Sequence, residues 1–448
     1  MSYDSDTLSS YSDFSRNSSI SSTSSSPNHM RVFLVQTAKG LFSSSGGYKA
    51  NLCLLRHLAS RGHSVRQICY SHRGEVDAYV RTMTSSGEHN PELRKRRMHL
   101  RSGYGEAGID LAVEELVVHD GVQYVALEKE AFDEAFGGKD NILKTMPRET
   151  ANYIEKGLLS ARLEDFVSFL QQEITDFAPT HILFNDGLSM QATSAQEMPN
   201  LTARRIAVIH TAEQLPFGPF AGGMPGHLQT NFFVHHPWTY LEEQTHEMPL
   251  HLHNWDKKYI GMINPCPVKG ARVLLGLAKL CPQHEFLVYK SWGFDQKIGR
   301  QMEAVKNIIL RPTCKDMEEA WRNIKVLLVP SLWFEAWGIV TIEAHLRGIP
   351  VISSNVGALS EAMLGLDHIV PVNPIQGDRD EEGTYIVPEQ DLAPWVRVVN
   401  KLMSDKQEYE RLSNKVRSIT EQWIKGLDET ALEKWLLSMA SRSTQICM

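Results

Sequence analysis

The sequence lacks the cysteine patterns of disulfide scaffolds and zinc ribbons. It has six cysteines in 448 residues, and no two of them form a CxxC pair. The cysteines are Cys53, Cys69, Cys266, Cys281, Cys314 and Cys447. This scattered spacing argues against a disulfide framework and indicates a reducing compartment.

Long apolar runs are also missing. The longest have the length of a strand, such as Val326 to Val329, whereas a bilayer crossing needs about 20 consecutive apolar residues. Residues 1–29 are rich in serine and contain several aspartates, so they resemble neither a secretory signal nor a transit peptide. The sequence therefore predicts a disordered tail at 1–29 and a cytoplasmic protein. A peripheral position on the cytosolic face of a membrane stays open.

A strong charge balance of either sign is absent. The chain carries 46 basic and 53 acidic residues, a net charge of −7, which excludes a bulk polyanion binder and predicts no nucleic-acid partner. One dense basic cluster lies at Arg94–Arg101. We interpret it as a solvated loop; contact with an anionic membrane or lipid acceptor is the alternative. A nuclear signal or RNA contact fits least, because no aromatic residues alternate with the charges.

Strand-like runs and helix patterns alternate through the chain. Val32 to Val35 predict a buried strand, Leu52 to Ala59 a helix, and Ser64 to Cys69 a second strand. Strand, loop, helix and strand form a βαβ unit, which implies a parallel sheet. A second series of the same kind begins at Tyr259 and continues to Ser353.

These two series predict an α/β protein of two facing Rossmann-like domains with a cleft between them. We place the N-terminal domain at 30–250 and the C-terminal domain at 251–415. A helical segment at 416–448 is expected to pack back toward the N-terminal domain.

Two weak signals for anion binding stand at predicted strand ends. Gly46-Gly47 follows the first strand, where glycine lets backbone amides approach an anion. A flexible turn explains this pair equally well, and the GxGxxG fingerprint of dinucleotide sites is missing. Lys269-Gly270 opens a predicted helix, so a point charge adds to the helix dipole. Most lysines at helix starts, however, are simply solvated.

The strongest signal is the segment 330–344. Glu335 falls in the loop after a predicted strand, and Glu343 lies eight positions later in the following helix. Between them the helix start presents backbone amides that have no acceptor within the helix. These amides belong to residues Trp337 to Val340. Amides suit phosphate and flanking carboxylates suit hydroxyls, so the arrangement fits a nucleoside diphosphate sugar.

This segment resembles the E-x7-E motif of retaining GT-B glycosyltransferases, specifically glycosyltransferase family 4. The resemblance covers about residues 31–430, apart from the region of the basic cluster. Further pieces follow in the family's order: Gly46-Gly47, His210, Lys269-Gly270 and Gly357 to Glu361. The resemblance implies that a hexose moves from a UDP- or GDP-linked sugar, a co-substrate rather than a cofactor, to a hydroxyl of a small-molecule, lipid or glycan acceptor. The oligomeric state is left undetermined.

The resemblance also implies residue roles. Glu343 would take the ribose hydroxyls, Glu335 the hydroxyls of the transferred sugar, Lys269 the leaving diphosphate, and His210 would contact the sugar. Backbone groups would line the sugar, phosphates or acceptor at Gly46, Gly47, Gly338, Ile339 and Val340. The C-terminal domain would hold the donor and the N-terminal domain the acceptor. Its apolar, glycine-rich stretch 215–223 favours a small apolar or lipidic acceptor.

The sequence departs from the family at one position. Family members usually carry an arginine five residues before the lysine, and here that residue is Asn264. Losing a charge-assisted contact should weaken diphosphate binding or leaving-group stabilisation. A nucleotide-sugar-binding protein with weakened catalysis therefore stays open. A nucleotide-sugar epimerase on the same fold is a further alternative, and an NAD-dependent oxidoreductase is a distant one.

No essential metal is predicted. Asp4/Asp6 lie in the tail, and Asp378/Asp380 lie in a highly charged segment that is best explained as a solvated loop. The histidine pairs His235-His236 and His251/His253 have no cysteine or carboxylate that completes a ligand set. Fixed donors can replace a metal in enzymes of the GT-B type.

Overall fold

The computed structural model describes residues 29–41, 46–86, 91–101, 108–118, 120–209, 233–236, 240–241, 247–291, 293–314, 316–381 and 384–440. Three sequence-based predictions therefore fall outside the described residues. They concern the tail before residue 29, His210, and the stretch 215–223.

The first β-sheet belongs to the N-terminal half. Its seven strands are β1 (Arg31–Gly40), β2 (Ser64–Ser71), β3 (Glu92–Leu100), β4 (Ile109–Val117), β5 (Val122–Glu128), β6 (His181–Phe184) and β7 (Arg204–Ala207). Their order across the sheet is β3-β4-β5-β2-β1-β6-β7. β5, β2, β1, β6 and β7 pair in parallel, whereas β3 and β4 add an antiparallel edge.

The second sheet belongs to the C-terminal half and is parallel throughout. Its six strands are β8 (Tyr259–Ile263), β9 (Glu285–Tyr289), β10 (Ile308–Arg311), β11 (Ile324–Val329), β12 (Val351–Ser354) and β13 (Ile369–Val370). Their order is β10-β9-β8-β11-β12-β13. Every residue of β11 is buried, as expected of a strand covered by helices on both faces.

Helices connect the strands and cover the sheets. In the N-terminal half they are α1 (Gly46–Ser60), α2 (Glu75–Ser86), α3 (Lys129–Ala135), α4 (Lys139–Lys156), α5 (Ala161–Phe177) and α6 (Gly187–Ala192). In the C-terminal half they are α7 (Ala271–Leu280), α8 (Gln296–Glu303), α9 (Met317–Trp321), α10 (Ile339–Leu346), α11 (Leu359–Ala362), α12 (Ala393–Ser404), α13 (Lys406–Lys425) and α14 (Ala431–Ala440). The predicted α/β class is confirmed, with two Rossmann-like sheets.

The last helix packs on the first sheet. Leu436 of α14 is buried in the core beside β1 and β2, and its carbonyl oxygen lies 3.0 Å from Nε2 of His181 in β6. Glu433 lies 3.0 Å from Nε2 of His63 and 3.1 Å from Nε of Arg61. The chain therefore returns from the C-terminal half to the N-terminal half at its end.

The basic cluster is a strand and not the loop that the sequence suggested. Its residues 94–100 lie in β3, the antiparallel edge strand of the first sheet, and Arg101 follows directly after the strand. Four of its basic groups face carboxylates: Lys95 with Asp77 and Glu114, Arg96 with Glu115 and Glu173, His99 with Asp110, and Arg101 with Glu164 and Asp165. These partners reduce the positive charge that the cluster presents to solvent.

Among the described helices, none combines the length and the apolar character that a membrane crossing requires.

Candidate functional site

The candidate site lies where the strands of the second sheet end. Because β8, β11 and β12 are parallel neighbours, their carboxyl ends meet at one edge of the sheet, which is where open α/β sheets bind ligands. The loop after β11 carries Ser331 and Glu335, and the turn after β8 carries Lys269.

Glu335 is held by two partners from this edge. The hydroxyl of Ser331, which is buried, donates to Oε1 of Glu335 at 2.6 Å. Lys269 forms an ion pair with the same carboxylate oxygen. Both side chains of the pair keep some exposure, 27% for Lys269 and 17% for Glu335. The pair is therefore accessible to a ligand while its geometry is fixed.

Backbone contacts fix the loop that carries Glu335. Glu335 forms an isolated parallel bridge with Gly357, and the amide of Ala358 donates to the carbonyl oxygen of Glu335 at 2.9 Å. Gly357 has φ +63°, and a Cβ atom built on it would lie 2.4 Å from the Glu335 oxygen and 2.5 Å from its nitrogen. Only glycine allows this approach, so the residue after β12 positions the carboxylate after β11.

The helix start between the two glutamates faces the same edge. Gly338 precedes α10 with φ 107°, and no side chain caps the helix. The first turn of α10 contains no acidic residue, so the positive end of its dipole is not neutralised within that turn. The amides of Gly338, Ile339 and Val340 lie at this helix start and have no acceptor within the helix, and their binding of phosphate stays a prediction.

Glu343 approaches the N-terminal half of the chain. Its Oε1 lies 3.4 Å from Nζ of Lys49, in the first turns of α1. At the start of α1, a Cβ atom built on Gly46 would lie 3.2 Å from Cδ1 of Ile339. The sequence suggests a loop at Gly46 and Gly47, but these two residues begin α1. They bring this helix against the start of α10.

Asn264, which occupies the position of the expected arginine, has a structural role. It is buried and has φ 60°. Its side-chain Oδ1 accepts a hydrogen bond from the backbone amide of Gly293 at 3.3 Å, and its backbone amide donates to the carbonyl oxygen of Tyr289 at 2.9 Å. Asn264 therefore ties the turn after β8 to the segment after β9 and brings no positive charge to the site.

An aromatic cluster that the sequence analysis missed supports the glutamate loop from behind. Nε1 of Trp337 donates to the hydroxyl of Tyr240 at 2.7 Å, and both residues are buried. Trp337 stacks on Trp423 of α13 with ring centroids 5.3 Å apart. The ring of His236 also packs on Trp337, with centroids 4.2 Å apart. Burial lowers the pKa of His236, so a neutral imidazole is favoured. No sequence pattern linked these distant residues.

A cavity of about 740 Å³ opens farther along the same edge, at the ends of β9 and β10. Its lining combines the aromatic ring of Tyr289 with charged and polar groups, among them Arg311, Asp316, Glu319 and Arg322. An aromatic face with nearby hydrogen-bonding groups suits a planar heterocycle.

The acidic segment at 378–381 is exposed and lies beside the glutamate loop. The ring of Tyr385 contacts Trp333 with centroids 4.9 Å apart, and the Arg379 guanidinium lies 3.8 Å from the Tyr385 centroid. Within the described residues, no group of three or more histidines, cysteines or carboxylates could hold a metal ion. His251 and His253 stack on each other at 3.8 Å.

The fold is the GT-B fold. A mutant of TarM from S. aureus, solved with Fondaparinux, alpha-GlcNAc-glycerol and UDP, aligns with 91% of this chain and 99% of its own at a TM-score of 0.55 and 13% identity. The catalytic domain of Starch Synthase IV from Arabidopsis thaliana, bound to ADP and acarbose, aligns with 92% and 100% at a TM-score of 0.52 and 12% identity.

Sequence comparison is consistent with this fold and concerns the C-terminal half. Residues 258–405 match the family model described as Glycosyl transferases group 1. A D-inositol 3-phosphate glycosyltransferase of Streptomyces bingchenggensis is 30% identical over 139 residues, which are 30% of this chain and 27% of that relative. The match thus spans about a quarter of the relative's length. The family region contains Lys269, Glu335 and Glu343.

Proposed function

We propose that the protein is a retaining glycosyltransferase that moves a hexose from a UDP- or GDP-linked sugar to a hydroxyl of a small-molecule, lipid or glycan acceptor. One observation carries the proposal: Lys269 and Ser331 hold Glu335 beside the uncapped start of α10. These residues lie within the region that matches the glycosyltransferase family.

The donor would bind along the carboxyl edge of the second sheet. Glu343 takes the ribose hydroxyls, and the amides at 338–340 together with Lys269 take the diphosphate. Glu335 takes hydroxyls of the transferred sugar, for which it exchanges part of its contact with Lys269. The nucleobase would reach the cavity at the ends of β9 and β10, whose lining suits a planar ring.

The proposed chemistry follows from the groups that would surround the anomeric carbon of a bound donor. Ser331 and Lys269 engage the Glu335 carboxylate, so it is a poor nucleophile in this geometry. We therefore propose same-face substitution, in which the departing phosphate accepts the proton of the acceptor hydroxyl. The acceptor oxygen forms its bond to the anomeric carbon as the bond to the diphosphate oxygen breaks. Lys269 and the α10 amides stabilise the charge on the diphosphate.

The experiment compares two Lys–Glu pairs of the same half of the molecule. Purified Lys269→Ala and Glu335→Ala are assayed with a panel of nucleotide sugars and acceptors, with products identified by mass spectrometry. Lys258→Ala and Glu285→Ala are the matched controls, because their exposed ion pair of 2.8 Å lies at the opposite end of β8 and β9. Transfer should fall by about 100-fold or more in the site variants only.

Retained configuration at the anomeric carbon, read by NMR of the product, tests the mechanism. Near-normal turnover by Glu335→Ala or Lys269→Ala would contradict the proposal. Conversion of the donor without acceptor would indicate an epimerase. Tight donor binding without transfer to any acceptor would indicate a binding protein, the alternative that Asn264 favours.

A further inference from the structure

An ion pair between Lys49 and Glu343 connects the two halves of the molecule. Lys49 is the fourth residue of α1, which packs on the first sheet, whereas Glu343 belongs to α10 beside the second sheet. The nitrogen and oxygen atoms are 3.4 Å apart, and the Lys49 side chain is 39% exposed. The pair lies on the path that the proposed function gives to the donor.

This ion pair is easy to exchange. Its separation exceeds the roughly 2.7–2.9 Å of a good charge-assisted hydrogen bond. The exposed lysine is solvated, and such pairs add little to stability. A ribose whose hydroxyls bind Glu343 can therefore release the ammonium group at small cost.

The released ammonium would remain close to the phosphates. Glu343 follows Ile339 by four residues, which at a rise of about 1.5 Å per residue is about 6 Å along the helix axis. Gly46 lies three residues before Lys49 and close to Ile339, since a Cβ atom built on Gly46 would lie 3.2 Å from Cδ1 of Ile339. The first turn of α1, which carries Lys49, thus lies against the turn of α10 whose amides are proposed to bind the diphosphate.

A diphosphate carries more negative charge than the single positive charge of Lys269 can neutralise. Asn264 stands where a second cation was expected, and its amide group is engaged with Gly293. Lys49 is the ammonium group that the structure places against Glu343 from the opposite half. The start of α1 next to it carries no acidic residue in its first turn.

We propose that Lys49 is the second diphosphate-binding cation of this site, supplied across the cleft by the N-terminal half. This inference rests on the proposed function. Donor binding would move the Lys49 ammonium from Glu343 to the diphosphate while Glu343 takes the ribose. The two halves are then held together by the donor itself, which excludes water from the reacting bond.

The test separates diphosphate binding from nucleoside binding. Calorimetry measures UDP, GDP, ADP, CDP and dTDP, each with its nucleoside, against wild type, Lys49→Ala, Lys49→Arg and Lys269→Ala. Lys258→Ala is the matched control for removing an exposed lysine. Affinity for the preferred nucleoside diphosphate should fall by about 10- to 100-fold in Lys49→Ala, the loss expected for one charge-assisted contact. Lys49→Arg should retain most of it.

The affinity for the nucleoside distinguishes a phosphate-binding Lys49 from a lysine that only forms a structural ion pair. This affinity should be unchanged in Lys49→Ala, or should rise because Glu343 is released. Equal losses for nucleoside and diphosphate would overturn the inference, as would a diphosphate affinity that Lys49→Ala leaves unchanged while Lys269→Ala lowers it. If wild type binds none of the five diphosphates, the proposed function itself fails, and this inference fails with it.

Discussion

Replacing Gly357 by alanine should displace the candidate catalytic glutamate by pushing on its backbone, without changing its side chain. The new Cβ atom would lie 2.4 Å from the carbonyl oxygen of Glu335 and 2.5 Å from its amide nitrogen. These two atoms belong to the backbone, which cannot move aside as easily as the end of a flexible side chain. We therefore expect the loop carrying Glu335 to move and its hydrogen bond from the Ala358 amide, 2.9 Å long, to break.

The cost follows from three contributions. Alanine at φ +63° is strained by about 1 kcal/mol. The lost hydrogen bond adds about 1–2 kcal/mol and the overpacking about 1–3 kcal/mol. The free energy of unfolding should thus fall by about 3–6 kcal/mol. Because an error of about 1 Å in catalytic geometry can cost about 100-fold, transfer should fall in the same range.

Gly365→Ala is the matched control. Gly365 also has a positive φ, +74°, but a Cβ atom built on it meets nothing within 4 Å. It should lose only the conformational contribution of about 1 kcal/mol. Urea unfolding of both variants measures the difference, and nucleotide-sugar turnover measures the displacement of Glu335. Equal destabilisation by the two substitutions would refute the reasoning, as would normal turnover by Gly357→Ala.

Three further predictions concern the cluster behind the site, a buried histidine and metal dependence. Tyr240→Phe should lower the free energy of unfolding by about 1–3 kcal/mol, because the buried Nε1–H of Trp337 loses its acceptor; an unchanged urea midpoint would exclude this bond as a support. Burial lowers the pKa of His345 to about 3, so between pH 6.5 and 3 the unfolded chain binds more protons than the folded chain. The free energy of unfolding should therefore decrease as the pH is lowered through this range, by at most about 1.4 kcal/mol per pH unit. His345→Gln should flatten that slope in urea titrations, and a slope equal to wild type would contradict the assignment. Transfer should survive EDTA, since Lys269 and the α10 amides are proposed to stabilise the diphosphate; loss of activity with rescue by Mn²⁺ would reverse this expectation.

Much of the candidate site was readable from local sequence. The buried run of β11, the turn after it and the glycine before α10 together predict a carboxylate, free amides and a second carboxylate in that order. These features depend on neighbours within about two helical turns. Hydrophobic periodicity and helix-terminus geometry are local properties, so the spacing of Glu335 and Glu343 carried the information.

The predictions that failed or were missing depend on distant partners. The cluster at Arg94–Arg101 looked like a solvated loop because the carboxylates that face it come from β4, α2 and α5. The bond between Tyr240 and Trp337 joins residues 97 positions apart. No local pattern distinguishes such residues from ordinary core positions.

The sequence by itself determined the α/β class, two halves built from βαβ units, and the spacing of Glu335 and Glu343, because each depends on hydrophobic periodicity and on the residues that begin and end short segments. Only the tertiary structure decided that Gly357 fixes Glu335, that Asn264 is a structural residue, and that Lys49 of the first half faces Glu343 of the second. Lys49 and Glu343 are 294 residues apart along the chain. Their meeting is set by how two independently patterned sheets pack, which no segment of the sequence encodes alone.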